Sequence, residues 1–382
     1  MLGAVTGIAA FVGLSAAVAV SVTGAIPAHA PPTPASMTGA VSAMVRTLSP
    51  EQLAGQRVIY SYTGLRPPST LIARIEAGEA AGVIFFSDNI SSQSQIRQVT
   101  GELERAAMHS PVKEPLLLMT DQEGGEVRRL PGGPSASEKE IGASSDPLAA
   151  AGRAGAAAGR NLAGAGLNVN LAPVLDVFRT PGNFIDQYGR SYSSDPDKVA
   201  QLGSAFISAQ QRTGVAATSK HFPGLGAAAT NQDTDARPVI LHVSLHALRS
   251  IDELPYRSAL RAGVKLVMVS WATYPALDPD RPAGLSRTIV QRELRTRLGF
   301  TGVTITDALE AGALRAFGST SNRAVLAARA GMDLLLCSGQ QVSEGDSAVS
   351  ALASGLKSGR LRSSPFTAAV DRVIGLRSSI RG

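Results

Sequence analysis

The feature that most constrains the fold is the alternation of eight short apolar runs with segments of helical composition. The runs are rich in small and β-branched residues, which fits strands that are covered on both faces. The predicted strands are Arg57–Tyr62, Gly82–Ser87, Pro115–Asp121, Leu167–Leu171, Val215–His221, Val264–Ser270, Gly302–Asp307 and Met332–Ser338. Regular alternation of strands and helices indicates a parallel sheet with helices outside it.

The segments between the runs predict the helices. Those with the clearest helical composition are Pro147–Gly164, Pro196–Thr213, Leu254–Ala262 and Arg323–Ala330. Met37–Gln56 also predicts a helix, with Ser49 at a capped turn, and residues 360–382 predict a last helix plus a tail. Eight β/α units favour an α/β fold, a single-domain (β/α)8 TIM-type barrel. The alternative is a doubly wound open sheet, which normally has a Gly-rich phosphate loop after its first strand; Tyr62–Pro68 is not such a loop.

The N-terminal segment predicts export. Residues 1–36 contain no Lys, Arg, Asp or Glu, and Ala28-His29-Ala30 is a small-residue cleavage site. We therefore expect a signal peptide or N-terminal anchor over residues 1–30, a Pro-rich linker over 31–45 and the barrel domain over 46–382. The anchor stays open because no basic residue precedes the apolar run, which is long enough to span a bilayer. The expected location is extracellular, associated with the cell wall or anchored to the membrane facing outside.

Composition narrows the classes of partner and cofactor. Cys337 is the one cysteine, so an intrachain disulfide is excluded, and it is most simply a small core residue. No Cys/His cluster has metal-ligand spacing, so we expect neither a metal nor another cofactor. The net charge is +6, but the Lys and Arg are scattered and aromatic residues are 4%, which argues against a nucleic-acid partner. A membrane is expected as a partner only through an uncleaved N-terminal segment.

Polar and charged groups recur where the predicted strands end. They are Asp121, Asp176, Lys220, His221, Ser270, Trp271 and Asp307. Charged side chains are rarely buried without partners, and parallel strands of a barrel end at one rim, so we expect these groups to meet there. Carboxylates next to a cation and an imidazole suit a polyhydroxylated ligand. A pair of carboxylates is also what glycoside hydrolysis requires.

Three of these residues have a simpler interpretation when each is taken alone. Asp176 follows tightly packed apolar residues and is expected to be a structural hydrogen-bond acceptor. His221 alone fits a core histidine with satisfied hydrogen bonds. Trp271 fits either a platform for a sugar ring or a residue that packs the rim.

Several motifs together resemble glycoside hydrolase family 3, and specifically its single-domain β-N-acetylhexosaminidase branch. They are Gly82-Val-Ile-Phe-Phe86, Asp121-Gln-Glu-Gly-Gly-Glu-Val-Arg-Arg-Leu130, Asn168-Val-Asn-Leu-Ala-Pro-Val-Leu-Asp176, Gly189-Arg-Ser-Tyr-Ser193, Lys220-His-Phe-Pro-Gly224 and Thr306-Asp-Ala-Leu309. The resemblance implies that Asp307 is the nucleophile, which forms a covalent glycosyl-enzyme and retains the β configuration. It also implies a set of sugar-binding residues: Asp121, Arg129, Arg190, Lys220 and His221.

The chain departs from this branch at the general acid/base. The branch normally has a second His after the Lys-His-Phe-Pro-Gly motif and an Asp-Ser-His triplet further along. Here Leu225 takes the first position, and a gapless count from Lys220 puts Asn231-Gln232-Asp233 at the triplet. Asp233 could substitute as acid/base, with Asp235 as second choice, if its pKa is raised toward neutrality. Alternatively, both are solvated loop residues.

The function expected from this resemblance is that of a retaining exo-β-glycosidase. Its substrate would be terminal β-linked N-acetylglucosamine on cell-wall-derived or related glycans. Three alternatives stay open: a carbohydrate-binding relative without efficient turnover, a family 3 enzyme for another sugar such as β-glucose, and one that uses phosphate as acceptor. The sequence leaves the oligomeric state undetermined.

Overall fold

The computed structural model describes residues 43–380, so the expected signal peptide and most of the linker lie outside the described residues. Residues 43–45 are helical, a turn follows, and a separate helix begins at Pro50. The prediction of one helix through residue 56 is therefore wrong in its described part. Ser49 has the extended backbone that a residue before proline prefers, and its hydroxyl accepts from the Gln52 N–H, so the chain starts a new helix there.

Eight parallel strands within the described residues close into a barrel, and their order around the barrel follows their order in the chain. These strands are β1 Val58–Tyr60, β2 Gly82–Ile84, β3 Leu117–Thr120, β6 Val169–Asn170, β7 Ala216–Phe222, β8 Leu266–Val269, β11 Val303–Ala308 and β12 Leu334–Leu336. The last strand pairs with the first, with Val58 opposite Leu335. All eight predicted strands take part, which confirms the TIM-type barrel and excludes the open sheet.

The long described helices surround the strands, except the last one, which lies at the amino-terminal end of the barrel. From residue 50 onward the α-helices are Pro50–Gly55, Ser69–Glu76, Gln93–His109, Glu138–Ala143, Pro147–Gly164, Pro196–Gln211, Leu245–Ala247, Leu254–Arg261, Thr320–Ala330, Val342–Lys357 and Ser363–Ser379. The π-helical segments are Leu248–Asp252 and Thr288–Arg297, and the 3-10 helices are Ser87–Asn89, Asp186–Tyr188, Ala283–Leu285 and Gly312–Phe317. Between residues 43 and 380, no helix combines the length and apolar character that crossing a membrane requires.

Two small antiparallel hairpins extend beyond the barrel. Strands β4 (Gln122–Gly124) and β5 (Val127–Arg128) follow directly after β3, and β9 (Thr273–Tyr274) and β10 (Asp278–Pro282) follow β8. Gly124 turns the first hairpin with a φ of +116°, and a side chain there would collide with the Ala136 carbonyl. Both hairpins start at the carboxyl ends of barrel strands, so they build up the wall of that rim.

The apolar core has two layers. One lies between strands and helices, and the other fills the barrel with inward-facing residues such as Ile59, Met119 and Ile305. Helix Ser363–Ser379 adds Val373 and Leu376 to the inner layer. This helix closes the amino-terminal end of the barrel interior, so the interior opens at the carboxyl-terminal rim.

Candidate active site

A cavity of about 410 Å³ opens at the carboxyl ends of the strands. Six of the predicted site residues line it: Asp121, Arg129, Arg190, Lys220, His221 and Asp307. They come from distant parts of the chain and meet because the ends of parallel strands share one rim.

Lys220 lies at the centre of an ion-pair cluster. Its strand, β7, is buried along its whole length. The Nζ atom is 2.6 Å from Asp121 Oδ1 and 2.7 Å from Glu123 Oε1. Burial alone would lower the pKa of Lys220, but Asp121 and Glu123 outweigh it and raise the pKa above the ordinary value. Lys220 is therefore a fixed cation beside the cavity.

Glu123 joins the Lys220 cluster to Arg190. The Arg190 guanidinium donates from Nε and Nη2 to the two Glu123 oxygens, at 2.9 Å and 2.8 Å. Although burial opposes it, Arg190 and Lys220 hold the pKa of Glu123 at about 2. Sequence reasoning quoted Glu123 within a motif but gave it no role. The sequence feature that could have indicated it is its position two residues after Asp121, just beyond the end of the same barrel strand.

Asp176 holds His221 in position. His221 Nδ1 is 2.7 Å from Asp176 Oδ2, and the other Asp176 oxygen accepts from the backbone N–H groups of His221 and Leu225. Asp176 is fully buried, which confirms the prediction that it is a structural acceptor. Since the carboxylate accepts, Nδ1 carries the hydrogen and Nε2 is left for a ligand.

Asp307 stands at the carboxyl end of β11. Its Oδ1 accepts from the Ala308 N–H at 2.8 Å, which fixes the carboxylate at the cavity wall. The nearby Trp271 indole is 1% exposed and donates from Nε1 to the Ala308 carbonyl. Trp271 is thus a packing residue of the rim rather than a platform for a sugar.

The loop after β7 brings Asp235, rather than Asp233, to the cavity. Among the described residues, Asp235 is in the cavity lining and Asp233 is not. The Asp235 backbone N–H donates to Asp233 Oδ1 at 2.9 Å, which orients the loop. Asp235 is exposed at the cavity mouth. The charge of Asp307, followed by partial desolvation and the charge of Asp233, raises the pKa of Asp235 to about 7.

Further groups complete the wall. Arg129 Nε is buried and has no hydrogen-bond partner within residues 43–380, so it is free to donate to a ligand. Glu310, held by the Ser338 hydroxyl at 2.6 Å, and the ring of Phe184 also face the cavity. Sequence reasoning assigned neither, because both lie in loops whose path no periodicity fixes. In the described part of the chain, no group of three or more His, Cys, Asp or Glu could hold a metal ion.

A parallel barrel with two carboxylates and a cluster of cations at its open mouth has the groups that glycoside hydrolysis requires. The chain belongs to glycoside hydrolase family 3, since the model of the glycosyl hydrolase family 3 N-terminal domain matches residues 51–376. This confirms the family resemblance.

Comparisons with individual proteins agree with this assignment. An uncharacterized secreted glycosyl hydrolase of Arthroderma benhamiae is 46% identical over 86% of this chain and 93% of its own length. The structure of a family 3 β-N-acetylglucosaminidase from Paenibacillus sp. superposes with a TM-score of 0.82 at 33% identity and 88% coverage of this chain, which spans 64% of that longer protein. A β-N-acetylhexosaminidase structure from Beutenbergia cavernae gives a TM-score of 0.79 at 30% identity, with 86% of this chain and 98% of the other covered.

Proposed function

We propose that the protein is a retaining exo-β-glycosidase that removes terminal β-linked N-acetylglucosamine from cell-wall-derived or related glycans. The observation that carries the proposal is that Asp307 and Asp235 line one cavity close enough for the charge of one to raise the pKa of the other. The names of the Paenibacillus and Beutenbergia relatives support the choice of sugar. The cavity volume lies near the lower end of ligand pockets, about 300–1,000 Å³, which favours a chain end over an internal segment.

In the first step, Asp307 attacks the anomeric carbon while Asp235 donates a proton to the glycosidic oxygen. The C1–O bond breaks, an ester forms between C1 and Asp307, and the aglycone leaves with the proton. A pKa of about 7 keeps a useful fraction of Asp235 protonated near neutral pH. The proposal thus prefers Asp235 over Asp233, the first choice from sequence, because Asp235 faces the cavity.

In the second step, water attacks C1 and releases Asp307, while Asp235 takes the proton from water. The charge of Asp307 is the largest cause of the raised Asp235 pKa, and the ester has no such charge. The Asp235 pKa therefore falls once the intermediate forms, and the same group becomes the base that the second step needs. Two inversions at C1 retain the β configuration.

The remaining cavity groups bind the sugar. Asp121 accepts from sugar hydroxyls, while Lys220, His221, Arg129 and Arg190 supply donors. Because the ion pairs hold Lys220 and Arg190 in place before substrate arrives, little entropy is lost when the ring is set against Asp307.

Hydrolysis of an aryl β-N-acetylglucosaminide tests the substrate and the mechanism together. We expect release of the phenol, slower release from the matching β-glucoside, and β-N-acetylglucosamine as the first product in a proton NMR time course. Asp307→Asn is expected to remove activity, with unchanged circular dichroism as control. Exclusive cleavage of the glucoside would reject the sugar, and full activity of Asp307→Asn would reject the nucleophile.

Export is proposed with the activity. The apolar N-terminal segment supports it, and so does the relative described as a secreted glycosyl hydrolase. N-terminal sequencing of the protein from culture medium and from membranes tests it. A mature start at Pro31 in the medium is expected, whereas an intact N-terminus found only in the membrane fraction would indicate an anchor.

A further inference from the structure

A second cavity, of about 750 Å³, lies at the amino-terminal end of the barrel, opposite the active site. Arg57, directly before β1, and Met332, just before β12, form its floor. The first turn of helix Ser363–Ser379 forms part of its wall. We name this cavity the basal cleft.

The basal cleft is strongly basic. Seven arginines line it: Arg57, Arg287, Arg295, Arg329, Arg360, Arg362 and Arg372. No Asp or Glu is among its described lining residues. Across the whole chain Lys and Arg outnumber Asp and Glu by 36 to 30, so seven cations against no lining carboxylate is a marked local concentration.

The positive charge of the basal cleft is only partly neutralised by a buried carboxylate next to it. The buried Asp333 pairs with Arg295 and, at 2.8 Å, with Arg372. Arg287, Arg329 and Arg362 are exposed and have no ion-pair partner in the described part of the chain. The seven arginines of the basal cleft therefore keep several positive charges that a bound anion would neutralise.

The deeper arginines Arg57 and Arg295 have lowered pKa values. Burial is the main cause and brings the pKa of Arg57 to about 10; in both residues the charge of Asp333 opposes the shift and the charge of Arg372 adds to it. A bound anion would add to the negative charge that Asp333 supplies.

Unused hydrogen-bond donors accompany the charge. Arg295 Nε is buried without a hydrogen-bond partner among residues 43–380. Helix Ser363–Ser379 starts in the wall with Arg362 at its N-cap, no side-chain cap and no acidic residue in its first turn. The N-terminus of a helix of this length attracts anions through its free N–H groups and its dipole.

We propose that the basal cleft binds an anion that carries two or more phosphate groups. Guanidinium groups match phosphate oxygens with paired N–H donors, and several arginines around one cleft suit several phosphates better than one carboxylate. The ligand could be free polyphosphate or a phosphodiester-linked surface polymer, since both present the same groups. Such binding would hold the enzyme at its site of action while the active site at the other end stays open.

Isothermal titration calorimetry with inorganic tripolyphosphate and with a glycerol-phosphate oligomer tests the proposal on the full-length protein. We expect saturable binding of at least one of them, and the tighter one identifies the source. The double variant Arg329→Gln/Arg362→Gln should bind about tenfold more weakly or worse, and the dependence of log Kd on log salt should become shallower.

The matched control is Arg153→Gln/Arg160→Gln, which removes the same charge from exposed positions on helix Pro147–Gly164. It should change Kd by less than about twofold, since exposed charges at a distance are screened. Both double variants should hydrolyse an aryl glycoside at the wild-type rate. Equal weakening in the control, equal binding of poly-glutamate, or no binding of either phosphate ligand by the wild type would overturn the proposal.

Discussion

Asp235 and Asp307 have different roles in the proposed mechanism, as acid/base and as nucleophile. Asp307 is fixed by the Ala308 N–H at the end of β11, whereas Asp235 is carried by a loop at the cavity mouth. The fixed residue suits a nucleophile, which must stand at one position relative to C1. The residue with the raised pKa suits an acid that must also act as a base.

The first prediction concerns Asp235→Asn. We expect kcat/KM for a natural β-linked disaccharide to fall about 10²–10⁴-fold, and less for an activated aryl glycoside, whose leaving group needs little protonation. The raised pKa means that the protonated acid is lost as pH rises through about 7, so the wild-type rate should fall above that pH. In the variant this decline should be absent.

Asp233→Asn is the control for this prediction, since it changes a carboxylate in the same loop. The Asp233 charge helps to raise the Asp235 pKa, so its removal should move the alkaline decline slightly toward lower pH. Most of the rate should remain. If Asp233→Asn instead removes the decline and Asp235→Asn does not, Asp233 is the acid.

Sequence could anticipate most of the candidate site, because residues at the carboxyl ends of parallel strands must meet at one rim. Lys220, His221 and Asp307 all follow this rule. The acid/base could not be fixed in the same way. A gapless count gives a position along a loop, but which side chain turns into the cavity depends on the path of the loop.

At the scale of elements, hairpin β4–β5 gives the site its ion-pair cluster. It begins directly after β3 and places Glu123 between Lys220 and Arg190. Periodicity predicted the barrel strands and the long helices, since each has an extended apolar pattern. The hairpin has none: apart from Val127 and the turn glycines its residues are polar, and its pairing depends on a glycine turn and on contacts from distant segments.

The second prediction concerns Glu123→Gln. Removing this buried carboxylate takes an ion-pair partner away from both Lys220 and Arg190. The free energy of unfolding should therefore fall by about 3–5 kcal/mol, and KM should rise. Urea denaturation and steady-state kinetics measure the two effects. Glu126→Gln is the control, because Glu126 lies in the turn of the same hairpin but is exposed. An equal loss in both variants would contradict the role of Glu123.

The pH dependence follows from the lowered pKa of Glu123. Because the pKa of Glu123 is lower in the folded state than its unfolded value of 4.5, the ionised carboxylate stabilises the fold at pH values above 4.5. This contribution is lost as the pH falls toward about 2. The stability difference between wild type and Glu123→Gln should therefore be constant near neutrality and shrink below 4.5. A difference that grows in acid would have the wrong sign.

At the scale of the whole molecule, the barrel is closed at one end and open at the other. Arg377, on helix Ser363–Ser379, is buried and donates to the carbonyls of Pro115 and Glu114, both at 2.7 Å. These carbonyls lie before β3, so the contacts join the last helix to the closed end of the barrel. Sequence predicted a last helix here, but its position under the barrel depends on partners far away along the chain.

The third prediction concerns Arg377→Met. Loss of charge-assisted hydrogen bonds to two buried carbonyls should lower the free energy of unfolding by about 3 kcal/mol or more, measured by urea denaturation. KM should stay at the wild-type value, since the active site is at the other end. Arg153→Met, at an exposed position, should change stability by less than about 0.5 kcal/mol. A raised KM without loss of stability would contradict this assignment.

The most direct test is to trap the glycosyl-enzyme with a slowly turned-over 5-fluoro N-acetylglucosaminyl fluoride and to map the adduct by peptide mass spectrometry. The mechanism predicts one added sugar per protein chain, bonded to Asp307 in the peptide that ends β11. The adduct should be absent from Asp307→Asn. A stable adduct on any other residue would contradict the account.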